Sequence, residues 1–259
     1  MSDVLTQVLA DLAAEGDRLD ALVADLDDGG WHTLTPAPGW DVATQVAHLA
    51  WADEAALKAA SDKAAWDAVV LDAIADPAGF VDQQALAIAQ VPDLLTRWRR
   101  SRTDLHSALA AHPQGEKMPW FGPPMSATSM ATARLMETWA HSLDVHEALG
   151  APVEDTDRIR HIAHLGVRTR NFAFGVHGLD APTEEFRIDL VAPSEDVWSW
   201  GPEDAAQTLT GSAGDFCRLV TQRVHRADTD LVASGADVDR WLDIAQAFAG
   251  LPGEGRAPR

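Results

Sequence analysis

Apolar side chains between residues 3 and 27 fall at Val4, Leu5, Val8, Leu9, Leu12, Leu19, Leu22, Val23 and Leu26, the spacing of an amphipathic helix with Ser2 placed to cap it. Gly29-Gly30 ends that pattern. Thr33-Leu34-Thr35-Pro36-Ala37-Pro38-Gly39-Trp40 cannot continue a helix, and Asp41 stands where a cap for the next one belongs. That second helix is predicted to run to about Lys63, and the stretch 66–90 reads as helical but weakly patterned. Pro92 at a first-turn position, followed by Leu94, Leu95, Trp98, Leu105 and Leu109, predicts a third long helix ending near His112-Pro113. The proline- and glycine-rich stretch 114–125 is a loop placed to overhang a pocket. Ser126 then caps a fourth long helix that closes at Gly150. Four long helices in this order predict a four-helix bundle, whose core commonly houses metal sites built from facing helices.

Beyond Gly150 the period changes. Residues 155–175 begin as a further helix, with Ile159, Ile162, Ala163 and Gly166 on one side. Period-two runs follow at 186–191, 197–200 and 207–210, separated by Pro193 and Gly201-Pro202. A helix at 212–223, a short strand at 230–233 and a terminal helix at 238–249 complete a small α+β unit. The predicted organisation is an α-helical N-terminal domain (1–150), an α+β C-terminal domain (151–250) and a flexible tail (251–259).

Composition narrows the partners. A formal net charge of −20 argues against nucleic acid and anionic membrane surfaces, since phosphate backbones are met by basic surfaces. No apolar run approaches the roughly 20 residues needed to span a bilayer, and no signal-peptide pattern opens the chain, so a cytoplasmic location is expected. A single cysteine, Cys217, excludes an internal disulfide and any CxxC zinc arrangement, and its apolar neighbours read it as a small core residue. No protein partner is evident.

The candidate chemistry lies in the fourth helix. Glu137 and His141 are four residues apart, which leaves their side chains about 40° apart and roughly 6 Å along the axis, suited to two ligands of one ion. Asp144 falls on the same stripe, and His48 sits among apolar residues of the second helix. Two nitrogens and a carboxylate would make an open site for a divalent ion. The spacing alone also fits an ordinary intrahelical Glu–His pair, and a lone histidine on an apolar face is usually a core residue. Asp144 reads as a further ligand or, preferably, as an acceptor holding the ring of His141 or a bound water. Arg134 reads as a substrate-carboxylate binder or, more safely, as an ion-pair partner of Glu137 or Asp144. His146 points about 140° away from His141, and His161 with His164 lacks a third ligand. No dinucleotide, phosphate-loop, nucleophile-elbow or HExxH motif is present.

Thr35-Pro36-Ala37-Pro38-Gly39-Trp40-Asp41-Val42, Val46-Ala47-His48-Leu49 and Glu137-Thr138-Trp139-Ala140-His141-Ser142-Leu143-Asp144 together resemble the mycothiol-dependent maleylpyruvate isomerase family, within the wider DinB-like metal-binding bundles. Within that family the chain resembles an uncharacterised actinobacterial branch described only as metal-binding. The resemblance covers the first 150 residues, and the later unit resembles the family's C-terminal domain, which has a sterol-carrier-like character. It implies a divalent ion, usually zinc, on His48, Glu137 and His141. It further implies mycothiol, a low-molecular-weight thiol, as cosubstrate and a small electrophile as substrate, in an isomerase or S-transferase reaction. A maleylpyruvate pocket does not carry over, because the Pro119-to-Met125 loop and the C-terminal sequence depart from the pattern. A non-catalytic binding or regulatory module and a metal-assisted hydrolase stay open as alternatives.

Overall fold

A computed structural model describes residues 3–250, 252–253 and 255–259, which divide into two compact units at Val153/Glu154. The expected cap at Ser2 lies outside the described residues.

The first unit is helical. It comprises α1 (Asp3–Val23), α2 (Asp28–Trp31), α3 (Val42–Ser61), α4 (Lys63–Ala75), α5 (Phe80–Ala89), α6 (Leu94–Ala111) and α7 (Ala127–Ala148). α1, α3, α6 and α7 are the four long helices of the bundle. α3 is its centre, packed by α4, α5, α6 and α7, and it is buried on nearly every side from Val42 to Ala59. The small residues Ala43, Ala47, Ala50, Ala52, Ala55, Ala56 and Ala59 allow that close approach from several directions. The weakly patterned stretch 66–90 resolves into two helices because Pro77 breaks it, and Asp62 caps the first through Ala65 N at 3.0 Å.

Capping fixes the two helices that matter most. Asp41 Oδ1 accepts from Thr44 N at 2.8 Å to start α3, and Ser126 Oγ accepts from Ser129 N at 3.1 Å to start α7. Gly150 ends α7 with φ +63 while Ala151 N donates to His146 O, a left-handed C-terminal closure that glycine adopts without strain. α6 begins at Leu94, later than Pro92 suggests, after Asp93 in a left-handed conformation (φ 62).

The second unit holds a 3₁₀ turn (Asp157–Ile159), α8 (Arg160–Arg168), α9 (Arg170–Val176), β1 (Arg187–Val191), β2 (Val197–Trp200), β3 (Thr208–Ser212), α10 (Ala213–Val220), β4 (Val232–Ser234) and α11 (Ala236–Ile244). Its four strands lie in the order β2-β1-β3-β4, with β1 parallel to β3 and the outer pairs antiparallel. The single helix expected over 155–175 is instead interrupted, with Thr169 between α8 and α9. Phe216 and Trp241 meet edge to face at 5.7 Å in the core, and Cys217 is fully buried there. Trp198 is core, whereas Trp200 turns its indole N–H to His164 Nδ1 at 3.2 Å. Among the described residues, no helix is long and apolar enough to cross a membrane.

A candidate metal centre between two helices

α3 and α7 bring His48, Glu137 and His141 together, although 89 residues separate the first two. Glu137 Oε2 lies 3.4 Å from His48 Nε2 and 3.2 Å from His141 Nε2, and the three donor atoms fall within 4.8 Å of one another. The imidazole rings are tilted at 46° with centroids 4.5 Å apart. His48 is buried, while Glu137 keeps 24% of its side chain exposed, so the centre opens on the Glu137 side. Burial by itself would raise the Glu137 carboxyl. Hydrogen bonding from His141 and then His48 outweighs it and holds the group well below the usual carboxylate range.

Such a cluster needs positive charge at its middle. Two neutral imidazoles and a carboxylate direct lone pairs at one point, which repel unless protons or a cation stand between them. The donor set and the exposed third side fit a divalent cation with open coordination positions, the arrangement of catalytic rather than structural metal sites. Among the described residues, no other group of three or more potential ligands converges in this way.

The other candidates separate from the centre. Arg134 is buried and donates from Nε to Asp53 Oδ1 at 2.9 Å, pairing with neither Glu137 nor Asp144 as the sequence suggested. Burial pushes the Asp53 carboxyl upward against the pull of Arg134. Asp144 is buried one turn beyond His141 and does not join the three converging donors. The acceptor on His141 Nδ1 is Gln45 Oε1, at 2.5 Å. His146 is buried and off the site, its imidazole lowered in basicity by burial and by nearby Arg18.

Aromatic rings wall the opening. Ala37-Pro38-Gly39-Trp40 closes a tight turn, with Trp40 N donating to Ala37 O at 3.0 Å and Gly39 at φ +80, the glycine position of a type II turn. The turn lays Trp40 nearly parallel to His141 (5.8 Å, 16°) and tilted against His48 (5.3 Å). On the other flank Trp51 lies 5.9 Å from His48 and stacks with Phe121 at 6.2 Å. The proline-rich loop that carries Phe121 is pinched at its base by reciprocal backbone hydrogen bonds between Met118 and Met125, each 2.9 Å. The loop is tied down by its own bridge and by packing of Phe121 on Trp66 and Phe80.

Gln45 and Trp40 carry parts of the site that residue-type patterns did not assign. The signal for Gln45 was available: it precedes His48 by three residues and so shares its face, as the only amide in an otherwise apolar turn.

Comparison with known proteins agrees with this geometry. Residues 12–146, which contain all three converging donors, match the family described as Mycothiol maleylpyruvate isomerase N-terminal domain. Residues 182–234, spanning the sheet, match one described as Wyosine base formation. An uncharacterized protein of Mycobacterium tuberculosis, from each of two strains, is 58% identical over 250 residues, covering 96% of this chain and 97% of the relative. The crystal structure of the mycothiol-dependent maleylpyruvate isomerase is similar with a TM-score of 0.59 at 16% identity, over 90% of this chain and 96% of that one. A mutant of that enzyme gives 0.58 at 15% identity. At such identities the likeness is one of fold.

Proposed function

From the premise that this chain belongs to the mycothiol maleylpyruvate isomerase family, we propose that it is a divalent-metal enzyme joining a low-molecular-weight thiol, mycothiol, to a small electrophile, as an isomerase or S-transferase. The observation that carries this reading is the convergence of His48 Nε2, Glu137 Oε2 and His141 Nε2 on one point with one side open. Those three residues would hold the ion. Two imidazoles and one carboxylate suit zinc, and manganese, nickel or iron accept the same donors. When bound, the ion supplies a Lewis acid that lowers the pKa of a thiol and keeps it as thiolate near neutral pH.

The protein's own groups do the rest. Glu137 stays ionised across the physiological range and contributes negative charge that His48 and His141 alone would lack. Trp40, Trp51 and Phe121 exclude water around the imidazoles and offer flat apolar faces to an electrophile. The Arg134 guanidinium is spent on Asp53, so this wall selects by shape and apolar contact rather than through that cation. Cys217 has no part in the chemistry: it is buried in the other unit, and burial pushes its thiol far up.

The test is incubation of metal-loaded and metal-free protein with mycothiol and a panel of electrophiles, read by mass spectrometry for adducts and isomerised product. Turnover confined to the metal-loaded protein is expected. A ligand retained without turnover would replace the enzyme with a binding module, and electrophile hydrolysis without thiol would make it a metal-assisted hydrolase.

A further inference from the structure

The loop preceding α3 is tied to the candidate ligand His141 by a chain of side-chain hydrogen bonds whose direction is fixed at one end. Thr35 Oγ1 lies 2.8 Å from the carbonyl oxygen of Trp40, which can only accept, so the hydroxyl proton is committed there. The same hydroxyl oxygen lies 2.9 Å from Gln45 Nε2 and must therefore accept from the amide. That orients Gln45 with its Oε1 toward His141 Nδ1, 2.5 Å away, and a carbonyl oxygen again only accepts. A proton of His141 consequently sits on Nδ1, and Nε2, 3.2 Å from Glu137 Oε2, is the nitrogen left for an ion to take. Each link is forced by the next. Gln45 is fully buried, so no solvent competes for its amide.

His48 shows what the chain achieves, because its Nδ1 is buried with no hydrogen-bond partner among the described residues. His141 is oriented through its Nδ1, whereas the Nδ1 side of His48 is held only by packing, with Trp40 and Trp51 against its ring. Resting on the reading of this cluster as a metal centre, we propose that Gln45 and Thr35 are positioning residues that set the tautomer and ring orientation of His141 for metal ligation. Outer-sphere acceptors on ligating histidines fix the donor nitrogen and raise ligand basicity, and their loss typically weakens metal affinity roughly 10- to 100-fold.

Two measurements decide it. Zinc affinity by competition with a chromophoric chelator is expected to fall by roughly that factor in Gln45→Leu. It should stay within a few-fold of wild type in Gln45→Glu, which keeps an acceptor at the same reach. Thr35→Val, which frees the amide to flip, should fall between the two. Circular dichroism confirms that each variant is folded. Nitrogen-15 NMR of the histidine rings in wild-type protein is independent of any substitution and should show His141 protonated at Nδ1, both without metal and with zinc. A zinc affinity in Gln45→Leu equal to wild type, or a His141 that carries no proton on Nδ1, overturns the assignment. Failure of wild-type protein to bind zinc would instead sink the metal centre, while the NMR tautomer would still judge the hydrogen-bond chain.

Discussion

Two polar clusters bridge the same pair of helices, α3 and α7, and they are built on opposite principles. His48 and Asp53 are five residues apart on α3, and Arg134 and Glu137 three apart on α7, yet Asp53 takes Arg134 while His48 faces Glu137. In the first cluster opposite charges meet at 2.9 Å with both side chains almost wholly buried, which closes the account of charge inside the protein. The second gathers one carboxylate and two imidazoles with no permanent cation, and it remains partly open. A buried pair that balances itself is structural. A cluster that lacks a positive centre is the one suited to take up a cation, and that difference, more than the presence of charged residues, singles out the candidate site.

The sharpest way to break the comparison is to delete donors from the open cluster. Glu137→Gln and His141→Ala are each expected to abolish stoichiometric metal in elemental analysis of protein that remains folded, because two donors cannot hold the ion against solvent. Full occupancy in both variants would end the metal assignment.

The closed cluster should behave in reverse. Arg134→Met leaves Asp53 buried without its partner and is expected to destabilise the helical unit by about 3–5 kcal/mol, read by hydrogen exchange of α3 and α7 amides, while bound metal is retained. Adding Asp53→Leu should recover most of that loss, since an apolar pair of similar volume often replaces a buried ion pair without cost. Loss of metal in proportion to stability, with no recovery in the double variant, would show that Arg134 and Asp53 belong to the site.

Acidification separates the clusters without mutation. Ligation needs deprotonated donors, and the Glu137 carboxyl, held well below its usual range, stays ionised in mild acid. Metal is expected to be retained near neutral pH and to leave on acidification, because protons compete with the ion for its donor atoms. For the apo protein the sign is that of a depressed acid: the Glu137 contribution to stability is present above the normal carboxylate pKa and disappears as pH falls through the lowered one. Metal retained to pH 4 would contradict histidine ligation.

The smallest effect expected is at the helix start that carries Gln45 and His48. Asp41→Ala removes the cap on Thr44 N and should cost about 1 kcal/mol in urea denaturation with little change in bound metal.

Much of this architecture was written locally. Capping residues Asp41 and Ser126, the Pro38-Gly39 turn and the change of period after Gly150 each act within a few residues, so helix order and the switch to strands could be read from the chain. The pairing of Glu137 with His141 was equally legible, because four residues on a helix impose a shared face. Partner choice across helices was not. Arg134 had Glu137 and Asp144 within its own helix, and it was the packing of α3 against α7 that offered Asp53 in their place. Gln45 was not read as a partner of His141, and only the approach of α3 put its amide oxygen at 2.5 Å.

The sequence by itself determined the order of the long elements and two of the three converging donors, since these depend on backbone sterics and on side-chain periodicity along one segment, although the first helix ends at Val23 rather than at Gly29-Gly30 and the last at Ile244 rather than 249. The tertiary structure alone decided that His48 meets them across 89 residues, that Arg134 is neutralised elsewhere, and that Trp40 covers the imidazoles. Contacts between distant segments follow from how whole helix faces interlock, and no single stretch of chain carries that information.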